Sequence, residues 1–338
     1  MQMHGPDLHP TDVHQSLISL PLHQPHDKLF KAAFSETETA AAFLKAQFSP
    51  SLTARMDWEV LRLIPGTFLD EHLQASASDL LYQIPLDGGP AFLYILFEHQ
   101  RQEDPWLPLR LLRYMLRIWE IQRRDHPEAS SLSPILPIVL AQNATPWKSS
   151  TRFFDLFSVP PQLAPEIQRF TPDFIHQRLE LAGLPFDKIT GTPQGILTLR
   201  VLKAEQLGQL LDAAVWDEAL LVRLPEPALL QLLRYIFAAE VDRDGFTRRI
   251  ESLNEPKTKS AAMSLADQLR QEGRQEGRQE GQVHTKRQDV LEALEIRFDS
   301  VPEGLREEIA RIADLSKLQA LLRSAIRCAD LETFAREL

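Results

Sequence analysis

Two carboxylates and an amide flank one turn at a spacing that can do chemistry: Asp79, Glu98 and Gln100, on either side of Asp87-Gly88-Gly89-Pro90. The apolar runs DLLYQIPL (79–86) and AFLYILFEHQ (91–100) around an Asp-Gly-Gly turn form a strong hairpin signal. Folding the chain about Gly88-Gly89 sets Asp79 opposite Glu98 and Leu81 opposite Leu96. The two-residue period of a strand then puts Gln100 on the face of Glu98. Like charges directly opposite on a sheet repel, and a divalent cation between them removes that cost. Mg²⁺ prefers one or two carboxylates plus waters and phosphate oxygens. A cation held there can polarise a phosphodiester and lower the pKa of an attacking water. The plainer alternative is an aspartate at a strand start and a surface charge at a strand end.

A second group follows on a helix. Arg110 and Tyr114 stand four apart and share a face with Arg113 and Arg117. Between Arg110 and Arg124 there are five arginines and one glutamate, Glu120. Guanidinium forks suit phosphate oxygens, so this helix is the candidate for contact with a nucleic-acid backbone. The alternatives are a solvated amphipathic face for the arginines and a core position for Tyr114. His99 points away from Glu98 and Gln100 and reads as a satisfied core histidine. Residues 240–251, EVDRDGFTRRIE, nearly match a twelve-residue calcium loop. Glu240 at its first position and Thr247 at its eighth break the pattern, so it is not read as one.

Strands and helices alternate around these residues. Residues 1–25 read as a polar lead-in, and order begins at HDKLFKAAF (26–34), where Asp27 is a helix N-cap. Ser35 and Glu38 make a capping box for a helix through Thr39 to Phe48. A strand is expected at Trp58 to Leu63. The run from Ala91 to Phe97 is apolar on both faces, which marks a central covered strand. Helical spacing from Trp106 to Arg124 places Leu112, Met115, Leu116 and Trp119 on one apolar face. ILPIVLAQN (135–143) reads as another buried strand, and residues 160–260 as mainly helical.

QEGRQEGRQEG (271–281) then repeats every four residues, with separate Arg, Glu and Gly stripes. Charges two apart do not pair within one helix, and glycine costs about 1 kcal/mol against alanine. The stripes suit pairing of two helices, hence a homodimer; a flexible linker is the equal alternative. The expected organisation is a lead-in (1–25), an α/β domain with a helical accessory region (26–260), the charged repeat (261–285) and a small all-α module (286–338).

The 338 residues are 43% hydrophobic, carry a net charge of −10 and include one cysteine, Cys328. An acidic balance speaks against a broadly basic nucleic-acid coat but leaves room for a local basic stripe. A lone cysteine supports neither an internal disulfide nor a Cys-rich zinc site, which points to a reducing cytoplasm. No apolar run approaches the roughly 18 residues of a membrane span, and the start has no signal-peptide pattern. Nothing in the sequence asks for a nucleotide cofactor.

HDKLFKAAF, SDLLY, FEHQ, RLLRY, LPIVLAQNATPW and the GRQEG repeats, in that order, resemble the recombination-promoting nuclease / putative transposase family of bacteria, over about residues 25–260. The last 50 or so residues resemble a small helical domain appended to such proteins. The resemblance implies a PD-(D/E)XK restriction-endonuclease-like core, a mixed sheet flanked by helices that cuts DNA with Mg²⁺ or Mn²⁺. It carries Asp79 as first carboxylate, Glu98 as second, and Gln100 where a lysine is usual. Glutamine hydrogen-bonds but supplies no charge, so developing negative charge would fall on the metal or on Arg110. The Arg110–Tyr114 spacing resembles a QxxxY element of RecB-like nucleases, and the superfamily's occasional early acidic residue makes Asp27 a weak candidate. The expectation is a metal-dependent DNA endonuclease acting in recombination or mobile-element activity; the alternative is an inactive DNA-binding or protein-interaction member of the same fold. A DDE transposase fits poorly, because both acids sit on one short hairpin.

Overall fold

The computed structural model describes residues 25–64, 79–98, 103–239 and 242–338. Its contacts divide the chain into two units between residues 262 and 263. The first unit is built on a five-stranded mixed sheet in the order β1 (Arg62–Ile64), β2 (Leu80–Leu86), β3 (Gly89–Glu98), β4 (Ile135–Ala141), β5 (Gln177–Glu180). The first three strands are antiparallel, while β4 and β5 run parallel to β3. β3 is central, as its apolar run requires: Ala91, Leu93, Tyr94 and Ile95 are fully buried.

The β2–β3 turn corrects the expected register. Asp87 and Gly88 both adopt positive φ, 49° and 83°, so the connection is a two-residue Asp-Gly turn of the kind that matches strand twist. The ladder therefore closes about Asp87-Gly88 rather than Gly88-Gly89, pairing Leu86 with Gly89, Leu81 with Tyr94 and Leu80 with Ile95. Continued by one residue, Asp79 lies level with Leu96 and not with Glu98. Because the offset is two residues, parity survives, and positions 79, 94 and 98 still belong to one side of the pleat.

Helices cover both faces. On one lies α3 (Leu107–Asp125), which connects the parallel strands β3 and β4. Its inward residues are Leu111, Tyr114, Met115 and Ile118, packed on Leu81, Tyr94, Val139 and Ala141. This face is rotated from the expected one: Leu116 is half exposed and Leu112 and Trp119 are only partly buried. The other face carries Leu80, Tyr82, Ile84, Leu93, Ile95, Ile138 and Leu140, all nearly inaccessible. It meets a helical layer of α1 (Pro25–Phe34), α2 (Thr37–Leu44), α4 (Pro193–Leu207) and α5 (Glu226–Ala239), which pack on one another. The Tyr82 hydroxyl donates to the Phe34 carbonyl and the Gln142 amide to that of Leu202, tying α1 and α4 to this side.

Local expectations shift at three places. Glu36, not Ser35, precedes α2, and no side chain caps it; Ser35 instead closes the end of α1 through its backbone. The strand expected at 58–63 is a 3-10 turn (Trp58–Val60) followed by β1, because Asp57 caps the turn by accepting from the Glu59 amide. Residues 160–192, expected to be mainly helical, are largely irregular and contain β5. There the buried Lys203 of α4 spends its three protons on the carbonyls of Leu181, Ala182 and Leu184, fixing the turn after β5. Burial lowers the pKa of this ammonium.

Asp242 caps α6 (Arg243–Glu251) by accepting from the Gly245 amide at 2.8 Å, so helix begins within the calcium-like stretch. α7 (Pro256–Phe298) is one 43-residue helix that contains the entire four-residue repeat. A Cβ at Gly273, Gly277 or Gly281 would meet nothing within 4 Å. In the second unit α8 (Glu303–Arg311), α9 (Leu315–Arg327) and α10 (Leu331–Ala335) bury Val290, Leu305, Ile309, Leu318, Leu321 and Phe334 together. Asp314 caps α9 and Asp330 caps α10.

Candidate active site at the carboxyl edge of the sheet

Asp79 lies one residue before β2, and β2 runs antiparallel to β3. The start of β2 therefore shares an edge with the carboxyl ends of β3, β4 and β5, the edge where open α/β sheets place their ligands. Along it the register aligns Glu98 with Ala141 and Ala141 with Glu180.

The Tyr94 hydroxyl donates to Asp79 Oδ2 at 2.7 Å. Tyr94 is fully buried, and its ring meets that of Tyr114 at 5.4 Å between centroids. Burial, and then the Asp79 charge and hydrogen bond, push the Tyr94 pKa well above its usual 10. Tyr94 is thus a permanently protonated donor that fixes one carboxylate oxygen at the sheet edge. Arg110, in the first turn of α3, is near enough for its charge to oppose that rise. It also pairs with Asp104 at 3.4 Å.

The sequence-derived residues separate into groups. Asp79, Tyr114 and Arg110 converge around Tyr94. Glu98 ends β3 on the same edge, and its backbone alone is described. His99 and Gln100 lie outside the described residues. Arg113 is exposed and does not share the Tyr114 face, since Tyr114 turns into the core; Arg117 is half-buried and pairs with Glu120 at 3.1 Å. Asp27 sits in the first turn of α1, in the helical layer on the opposite face of the sheet from Tyr94, so it does not join Asp79. Among the described residues no three His, Cys, Asp or Glu side chains gather as a metal cluster. No described helix is long and apolar enough to cross a membrane.

Sequence reasoning missed the loop that closes this edge. Arg178 of β5 pairs with Glu180 at 3.1 Å and donates to the carbonyls of Ser149 and Trp147. Glu180 accepts from the Trp147 amide, and Glu103 from that of Ser149; a hydrogen bond from the Ser149 side chain, and then the amide bond, lower the Glu103 pKa. Asn143 is buried, donates to the Thr145 carbonyl, and its Oδ1 has no hydrogen-bond partner among the described residues. His176 is 2% exposed, and its pKa is lowered from 6.5 to about 4, first by burial and then by Arg178. The available signal was the alternation of Arg178 and Glu180 with apolar neighbours in HQRLELAG, a strand pattern inside a stretch that read as helical.

The profile of a family described as putative transposase, YhgA-like, matches residues 24–215. Recombination-promoting nuclease RpnC of Escherichia coli (strain K12) is 30% identical over 177 residues, 52% of this chain and 54% of its own length. Recombination-promoting nuclease RpnD of Escherichia coli O157:H7 is 29% identical over 137 residues, 40% of this chain and 52% of its own. The Inactive recombination-promoting nuclease-like protein RpnE of the K12 strain is 29% identical over 251 residues, 73% of this chain and 81% of its own. The matched stretches thus span about half the length of RpnC and RpnD. No solved structure matches the chain.

Proposed function

Because this chain belongs to the YhgA-like putative transposase family, we propose that it is a metal-dependent endonuclease that hydrolyses DNA phosphodiesters in recombination or mobile-element activity, on a sheet of the PD-(D/E)XK type. The observation that carries the reading is Asp79, held by a buried tyrosine at the carboxyl edge where β3 ends in Glu98. Two relatives bearing the name of recombination-promoting nucleases support it.

The donor set fits a hard divalent cation. Asp79 offers carboxylate oxygens, and pleat alternation assigns position 98 to the same side, about 7–8 Å away as a diagonal neighbour. Mg²⁺ or Mn²⁺ held by Asp79 and Glu98 would supply charge to a phosphate oxygen and acidify a bound water. The chain's own residues do the rest. Tyr94 stays a neutral donor and fixes the Asp79 carboxylate against rotation. Gln100 orients the attacking water through a hydrogen bond without adding charge, and Arg110 faces the charge that develops on the phosphate. The lone cysteine fits a reducing cytoplasm, and the Arg, Glu and Gly stripes of α7 fit pairing of two copies, one site per strand.

The test is incubation of purified protein with plasmid and linear DNA in Mg²⁺, Mn²⁺, Ca²⁺ or EDTA. Cleavage in Mg²⁺ or Mn²⁺, abolished by EDTA, is expected. Absence of cleavage in every cation would overturn the reading. It would favour a non-catalytic member, in line with the missing lysine at position 100 and with the relative whose name is inactive.

A further inference from the structure

We propose that the outer face of α3 is a stacking platform for unpaired bases, so that the preferred substrate is single-stranded DNA or DNA with unpaired bases beside the cut; this rests on the nuclease reading above. Trp106 is 60% exposed, Leu109 41% and Leu116 50%. With Arg113 they stand at i, i+3, i+7 and i+10, which is one stripe of a helix. Tryptophan is among the more deeply buried residue types on average. Here an indole stands in solvent at the start of a helix whose first-turn Arg110 lies near Tyr94, the donor to Asp79. Its ring meets no other aromatic ring or cation among the described residues. Arg113 is exposed one helical turn beyond Leu109, and makes no ion pair among the described residues.

Exposed apolar side chains interleaved with the guanidinium of Arg113 match one occupant chemically. A single strand offers a phosphate to each arginine and a bare π-face to each apolar side chain. A duplex keeps its bases stacked inward and would use the arginines alone. A second copy of this chain would bring its own Arg113 against this one, so charge complementarity favours the polyanion. The stripe begins at the start of α3, one turn from Arg110, whose charge reaches Tyr94, and so places an unpaired base toward the edge that carries Asp79.

The experiment is fluorescence anisotropy of a labelled 20-nucleotide single strand and its duplex with the full chain in Ca²⁺. Wild type is compared with Trp106→Ala and with Trp106→Phe. Trp106→Ala should weaken single-strand binding about tenfold or more, the scale of one lost stack, while duplex affinity changes less than twofold and Trp106→Phe restores most of the loss. An equal effect on both probes, or none on either, overturns the platform and leaves the nuclease reading standing. Wild type that binds neither probe overturns both. A dimer in light scattering that Trp106→Ala dissociates would assign the stripe to contact between copies and overturn the proposal.

Discussion

The two faces of the sheet are built from alternate residues of the same strands, and they treat their polar atoms differently. The face toward α1, α2, α4 and α5 is dry. Its strand tyrosine, Tyr82, is satisfied by the Phe34 backbone carbonyl, a bond that only joins elements. The face toward α3 holds the corresponding Tyr94, one rung away, but that hydroxyl goes to the carboxylate of Asp79 at the sheet edge. A buried hydroxyl spent on a backbone carbonyl is architecture. One spent on a carboxylate at the carboxyl edge of the sheet holds that side chain in place.

The contrast breaks most visibly at Asp79. Asp79→Asn keeps an acceptor for Tyr94 but removes the charge, so cleavage should fall by at least about a hundredfold, the loss of several kcal/mol of cation-borne stabilisation, with the fold intact by circular dichroism. Asp79→Ala would also strand the Tyr94 hydroxyl, which costs about 1–3 kcal/mol. Tyr82→Phe on the dry face should lose stability and keep its cleavage rate. If Tyr82→Phe abolished cleavage and Asp79→Asn did not, the division of roles would be wrong.

Acid provides the next largest effect, through the buried imidazole just before β5. The folded-state pKa of His176 is lowered to about 4 from 6.5. The unfolded chain takes up a proton as pH falls through 6.5 and the folded chain does not. Stability from this residue is therefore full above pH 6.5 and is lost between there and pH 4, at about 1.4 kcal/mol per unit or roughly 3 kcal/mol in all. Urea unfolding at pH 7 and 4.5 should show a steeper loss in wild type than in His176→Phe; parallel losses would remove His176 as the cause.

Smaller effects refine the polar face. Tyr94→Phe removes the Tyr94 hydrogen bond to Asp79, and should cost about 1.5–3 kcal/mol of stability together with weaker Mn²⁺ binding by calorimetry. Unchanged Mn²⁺ affinity would make the bond purely structural. Replacing Arg110, Arg113 and Arg117 by alanine should flatten the logarithmic salt dependence of duplex binding by roughly 0.9 per lost phosphate contact. The structure ranks Arg113 first, since Arg110 and Arg117 already face Asp104 and Glu120. An unchanged slope would return all three to the role of a solvated face.

Local patterns made much of this legible. The apolar run of β3 announced a central strand, and the Asp-Gly turn announced the hairpin that places Asp79 and Glu98 on one side. The register was off by two because the turn was centred on Gly88-Gly89. Asp87 at positive φ, braced by its 2.6 Å ion pair to Arg55, moves the centre back by one residue. The even offset spared the face assignment. What could not be read was non-local. Arg178, Glu180 and Glu103 matter because they grip the loop after β4, a relation between segments tens of residues apart with no periodic trace. The Tyr94–Asp79 bond is a diagonal that follows only from the corrected register. The repeat read equally as linker or helix, since the glycine cost of about 1 kcal/mol each opposes continuity with the good helix formers around it, and continuity prevails in α7.

The Asp87-Gly88 turn also sets an order of assembly. It joins β2 to β3 through two residues, whereas β4 begins at Ile135 and β5 at Gln177. Closing a short loop costs little chain entropy, and hairpins form in about 1–10 μs. Parallel pairings must wait for their crossovers. The hairpin is then a seed whose free β3 edge templates β4, and Asp79 reaches its rung before the elements that later enclose it exist. A change that disfavours the turn, such as Gly88→Val at φ 83°, should act chiefly by slowing refolding, while a truncation at Leu179 should act chiefly by speeding unfolding. Stopped-flow chevrons with the two arms exchanged would show that the sheet is seeded elsewhere.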